Sequence, residues 1–278
     1  MRKSQIILLA SGALLLLFLW VFGKTVNPNK IAQTPVPEKT NETLDFKAVL
    51  SSSKQRLTPW QKNKLEKLEM AAADAPIKEK IEIYNQLSNF WKDSARTYEP
   101  YLFYIAEAAK LENSEKSLTF AAQQFTSSLL EVADPSIQNW LATNAKVLFN
   151  RALAINPNND SSKIGLGACY ILGNISDNPM EGILPVKDLA TKHPDNLFAQ
   201  LVLGLGGKKS GQFDKAIERF LIIVEKQPSN IVIVLQLAEC YEMKHDKINA
   251  AIWYKKAVDM INNADIKKEI EKRISDLK

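Results

Sequence analysis

The segment LGLGGKKSG at residues 203–211 mixes glycines with Lys208, Lys209 and Ser210, the composition of a loop that cradles phosphate. A nucleotide P-loop needs a glycine five positions before Gly207, where Val202 stands. It also follows a strand, whereas this segment closes a helical pattern. Its glycines are read instead as packing and turn positions: Gly204 where two helices touch, and Gly211 where the chain turns. The two cysteines, Cys169 and Cys240, fall at equivalent places two repeats apart, too distant for a disulfide and suited to burial as small hydrophobes. His193 and His245 each sit in a turn, outside any ligand cluster. No H-E-x-x-H, C-x-x-C or G-x-S-x-G occurs, so the common hydrolase, metalloprotease and oxidoreductase signatures are missing. No catalytic residue, metal ligand, cofactor or small-molecule substrate is expected.

The elements around these residues follow from composition and period. A chain of 278 residues with 46% hydrophobic side chains can build its core without metal or disulfide staples. The net charge of +5 is concentrated at one end, because Arg2, Lys3, Lys24 and Lys30 are the only charged side chains before residue 31. The remainder carries about +1, which argues against nucleic acid as a partner. Ile6 to Phe22 is an uninterrupted uncharged stretch, IILLASGALLLLFLWVF, long enough at about 1.5 Å per residue to cross most of a bilayer core. Residues 6–23 are therefore read as a single-pass transmembrane helix, with residues 1–5 on the cytoplasmic side because Arg2 and Lys3 precede it. The alternative is a cleaved signal peptide ending at Val21, Phe22 and Gly23, against which the bulky Trp20 and Phe22 weigh. Residues 24–57, polar and punctuated by Pro28, Pro35 and Pro37, read as a flexible linker.

Past residue 58 nearly every segment has helical spacing, broken every fifteen to twenty residues by short polar turns, and about twelve helices are expected. Gly204, Ala216, Phe220 and Pro228 recur thirty-four positions later as Ala238, Ala250, Tyr254 and Asn262. Small residues let two antiparallel helices approach, an aromatic four residues on fills the groove beside them, and proline stops the second helix. Ala145, Phe149, Ala152 and Pro157 repeat the second-helix half of the pattern. Leu166, Gly167, Tyr170, Gly182, Val186 and Pro194 repeat it with about three extra residues in LGNISDNPMEG.

On these residues the carboxy-terminal half resembles the tetratricopeptide repeat family. With the anchor, the chain resembles single-pass inner-membrane repeat proteins of bacteria that expose their repeats to the periplasm. The resemblance implies an all-α fold: a right-handed superhelical array of antiparallel helix pairs after one transmembrane helix. Divergent helical repeats are expected over 58–133, tetratricopeptide-like repeats over 134–263, and a capping helix over 264–278. It further implies a scaffold or adaptor for protein partners in the cell envelope, with a periplasmic chaperone-like module as the alternative. In such arrays the first helix of each repeat lines the groove. The corresponding residues are Ile164, Ile171, Leu172, Phe198, Leu201, Leu205, Val232 and Leu235, accompanied by Ala168, Glu239 and Met243. An apolar groove suits an amphipathic helix or an extended apolar peptide and lacks the Lys, Asn and Arg of a carboxylate clamp. The groove is either open or filled from within by helices before residue 133.

Overall fold

One turn, used three times, sets the spacing of the second half of the molecule. Pro157, Pro194 and Pro228 each stand two residues before an asparagine, Asn159, Asn196 and Asn230. The N–H of each asparagine donates to the carbonyl three residues earlier: Asn156 at 3.2 Å, His193 at 3.0 Å and Gln227 at 3.0 Å. Proline suits the second position of such a turn because its φ is already fixed near the required value. The asparagine side chain then caps the next helix, accepting from Ser162 N–H at 2.8 Å, Ala199 N–H at 3.1 Å and Ile233 N–H at 3.3 Å.

The computed structural model describes residues 44–277 apart from 174, 176 and 177. The apolar stretch at 6–22 and most of the linker lie outside the described residues, among which no helix is long and apolar enough to cross a membrane. Residues from Thr43 onward form a compact unit of their own. Its helices are α1 (Phe46–Gln55), α2 (Pro59–Asp74), α3 (Ile77–Asn89), α4 (Tyr98–Glu112), α5 (Glu115–Glu131), α6 (Pro135–Ile155) and α7 (Asp160–Leu172). They continue as α8 (Met180–Lys192), α9 (Leu197–Lys209), α10 (Phe213–Lys226), α11 (Ile231–Met243), α12 (Lys247–Met260) and α13 (Ala264–Asp276). Among the described residues every regular element is helical, and twelve α-helices follow residue 58 as expected. Neighbours pack as pairs, α3 on α4, α5 on α6, α7 on α8, α9 on α10 and α11 on α12, and α13 closes the series against α12. The result is a tetratricopeptide-like succession of helix pairs.

Each pair is held by the residue types that the period picks out. In α9 and α10, Phe220 is fully buried under Gly204, where a Cβ would stand 2.6 Å from the ring atom Cε1. The pair α7/α8 has Val186 in place of the aromatic, so its helices close on one another backbone to backbone. A Cβ on Gly167 would lie 2.9 Å from the Gly182 carbonyl oxygen, and one on Gly182 would lie 2.7 Å from that of Gly167. A smaller filler brings the helices nearer, and the nearer approach requires glycine on both.

Two boundaries differ from the sequence reading. The linker ends earlier than residue 57, because Phe46–Gln55 is helical, capped by the Asp45 side chain, which accepts from Lys47 N–H at 2.9 Å. Phe46 gives this short helix its hold: its ring stacks on Phe103 with centroids 4.3 Å apart and on Trp140 at 5.8 Å. The division at residues 133 and 134 falls between α5 and α6, which pack on each other as one pair. The core there is continuous, one cluster running from Leu57 through Phe125 and Phe149 to Cys169. Divergent and regular repeats are thus one stack. A π-helical turn at Phe90–Ser94 follows α3, with Ala95 N–H donating to Phe90 O at 3.0 Å, and its wider spacing lets the consecutive Phe90 and Trp91 both face inward.

Gly204→Val is expected to lower the stability of the chain by about 1–3 kcal/mol, the usual cost of overpacking a filled site. Phe220→Leu added to it is expected to recover part of that loss. Urea unfolding followed by circular dichroism measures both.

Candidate functional site

The first helices of successive pairs lie side by side, and polar bonds join each to the next. Between α5 and α7, Thr119 and Ser162 share a buried hydroxyl hydrogen bond of 3.0 Å, and the Gln123 amide donates to Ser161 Oγ at 2.8 Å. Between α7 and α9, Lys209 Nζ donates to the carbonyl of Leu172 at 2.8 Å, and burial of its ammonium lowers its pKa. Between α9 and α11, Lys208 Nζ donates to Gln236 Oε1 at 2.6 Å and also bonds the Glu239 carboxylate. Between α11 and α13, Arg273 Nε donates to Glu242 Oε2 at 2.8 Å, its guanidinium 5.1 Å from the centre of the Tyr254 ring. Tyr254 donates its hydroxyl to the same Glu242 oxygen at 2.6 Å, and burial raises its pKa, so the phenol stays a donor.

This row contains the eight residues singled out from sequence, and the fold assigns them different places. Ile164 and Ile171 are buried in the core cluster with Ala168, Val186 and Val202, and expose almost nothing to a partner. Leu172, Phe198, Leu201, Leu205 and Leu235 are half-buried, their inner sides packed on the cores of their pairs. Val232 is 60% exposed and Met243, on the same helix, 50%. Phe198, Leu201, Val232 and Leu235 stand on the N-terminal halves of α9 and α11, while Lys208, Glu239 and Glu242 stand on the C-terminal halves. The N-terminal halves are thus apolar on this face, while the C-terminal halves carry the charges together with Leu205 and Met243. Among these charges, the two cations Lys208 and Arg273 bond the two carboxylates Glu239 and Glu242, leaving no unpaired cation there to hold a peptide carboxylate.

Lys208 and Arg273 are the site residues that sequence reasoning missed. Lys208 stands seven residues after Leu201 and three after Leu205, a spacing that returns it to their helix face, but the glycines around it give the segment the composition of a loop. Arg273 belongs to a helix whose Lys and Glu content suggests an outward face only.

As for helices filling the row from within, α1 is held on α4 and α6 through Phe103 and Trp140, and leaves Val232 and Met243 exposed. His193 and His245 occupy turns, His193 Nε2 lying 4.0 Å from Asp160 and His245 having φ of 63°. Among the described residues no group of three His, Cys, Asp or Glu side chains converges as a metal site requires.

No family model matches the chain, and no curated protein matches it either. Solved structures do match. MamA from Desulfovibrio magneticus RS-1 aligns with a TM-score of 0.47 at 20% identity, covering 66% of this chain and 97% of that one. A second MamA crystal structure gives 0.45 at 17% identity, over 66% and 92%. YrrB, described as a TPR protein with an unusual peptide-binding site, gives 0.44 at 16% identity, over 72% and 100%.

Both cysteines are free and buried. Burial pushes the Cys169 thiol up to about 12 and the Cys240 thiol up to about 11 from an ordinary 9.0. Folded thiols that hold their protons contribute fully below the unfolded value near 9.0, and the contribution falls as pH rises toward the folded values. The native chain is therefore expected to resist Ellman's reagent at mildly alkaline pH and to react at both cysteines once denatured. Its stability in urea is expected to decline from pH 9.0 upward.

Proposed function

We propose that this chain is a helical-repeat scaffold that binds protein partners on the row of first helices, and that it is not an enzyme. The observation that supports this reading is the uneven face of α9 and α11. The charges there are satisfied within the molecule, while Val232 remains exposed near the half-buried Leu235 at one end of α11 and Met243 remains exposed next to Glu239 and Glu242 at the other. Apolar area left beside satisfied charges is what an amphipathic segment covers, its apolar side toward the leucines and its polar side along Glu239 and Glu242. The backbone of an array fixes such residues in place before the partner arrives, which limits the ordering cost of binding.

The sequence reading of residues 6–23 extends this proposal to a scaffold tethered in a bacterial inner membrane with its repeats in the periplasm. Tethering raises local concentration for partners in the same membrane. A carboxy-terminal reporter active only in the periplasm tests that orientation, and activity of a cytoplasm-specific reporter would reverse it.

Crosslinking the full chain in its native membrane, followed by affinity recovery, is expected to yield a stoichiometric protein partner. Val232→Glu combined with Met243→Glu should lower that recovery about tenfold or more while leaving the helical content unchanged, since both side chains are largely exposed. Recovery unaffected by the two charges would show that the row is not the binding face. Suppression of client aggregation that disappears in the same variant, without a stable partner, would favour the chaperone-like reading.

A further inference from the structure

Helix α1 meets the rest of the unit through a contact that separates cleanly. Phe46 stands over Phe103 of α4 and Trp140 of α6, with ring centroids 4.3 and 5.8 Å away. Leu50 packs against the same core, and within the ten residues of α1 only Ser53 is buried. That serine is satisfied at home, its hydroxyl donating to Val49 O of its own helix at 2.8 Å. The polar bond across the seam is partly exposed: Lys54 Nζ donates to Glu69 of α2 at 2.9 Å, and Glu69 also accepts from the Tyr104 hydroxyl at 3.1 Å. Withdrawing Lys54 therefore strands no carboxylate. On that side α1 stands off from α2 across an open crevice of about 390 Å³, whose walls include Lys54, Leu57, Leu65 and Glu69.

The rings beneath Phe46 have supports of their own. Phe103 meets the buried Tyr104 edge-on at 5.2 Å, and Trp140 meets the buried Phe125 at 5.5 Å. These contacts hold the slot in shape when Phe46 leaves it, so refilling it costs little reordering. Helix α1, by contrast, depends on the slot. Its ten residues fall short of the length of about twelve or more at which helices persist alone in water, and FKAVLSSSKQ sets three serines in a row inside it. Its composition is that of a linker, and its helical form comes from docking.

We propose that the cleft at Phe103 and Trp140 is a binding slot for a helix presenting an aromatic side chain in its first turn, and that α1 is its tethered, releasable occupant. Leu57, buried in the core, is the pin about which residues 44–56 leave and return as a unit while the repeats stay folded. The slot lies on second helices of the pairs, apart from the row of first helices. In the full chain, solubilised in mild detergent, the amides of α1 are expected to exchange with deuterium at least about tenfold faster than those of α4 and α6. A labelled peptide of residues 44–57, followed by fluorescence anisotropy, should bind the Phe46→Ala chain about tenfold or more tighter than the wild-type chain, whose slot is filled. The peptide carrying Phe46→Ala should lose about tenfold or more in affinity, and so should the chain to which Trp140→Ala is added. Phe120→Ala, at an exposed aromatic on α5, should leave binding unchanged. Circular dichroism of the Phe46→Ala chain is expected to show the other helices intact. The proposal is overturned by loss of helices beyond α1 in that variant, or by exchange of α1 only together with α4 and α6. It is equally overturned by a peptide that does not bind, binds both chains alike, or binds as well without its Phe46.

Discussion

Everything else in this chain depends on how closely two antiparallel helices can approach. Gly204 admits the Phe220 ring and Gly167 admits the backbone at Gly182, and the separation so fixed decides where the outer residues of each pair stand. The aromatic and the small residue are two halves of one dimension. Where Tyr254 replaces Phe220 in the last pair, its hydroxyl reaches Glu242, the carboxylate that Arg273 of the capping helix also bonds. Where Val186 takes the aromatic place, both contacting positions are glycine. Beyond the continuous core of the first half, successive clusters join α7 to α9, α10 to α11, and α11 to α13, so that this part of the stack gains stability pair by pair.

The row of first helices shows what this regularity makes possible. Repeating an element places its corresponding side chains side by side, so a lysine late in α9 meets a glutamate in α11, and an arginine in α13 meets the next carboxylate. Such bonds are partly exposed and individually modest. Their larger effect is on composition: they use up the charges of the C-terminal halves, beside N-terminal halves that are apolar on this face. A surface that is mostly apolar in the linear pattern thus carries a paired set of charges over the C-terminal halves of its helices.

The period of thirty-four made the pairs after Ala145 legible, since it fixes both the small positions and the aromatic ones. What it could not supply were contacts between residues far apart in sequence. Phe46 looks like an isolated aromatic in a polar stretch until Phe103 and Trp140 stand beside it. The pairing of α5 with α6 was hidden because α6 runs for 21 residues and α5 for 17, longer than the regular repeat. Of the eight groove positions read from sequence, Ile164 and Ile171 are buried for a related reason. Helical spacing gives the side of the helix but not how near the next helix lies. Lys208 is masked in the linear pattern by the glycines around it.

The repeated Pro-x-Asn turn has a mechanical consequence. Pro157 to Pro194 spans thirty-seven residues and Pro194 to Pro228 thirty-four, yet the turn and its cap are the same at all three places. The extra length is accommodated within the pair, between α7 and α8, and not at the joints between pairs. The molecule thus behaves like a ladder with hinges of one design and rungs of variable length. Change accumulates in the loops inside a pair, while the turn between pairs keeps one hydrogen-bonding pattern and one cap.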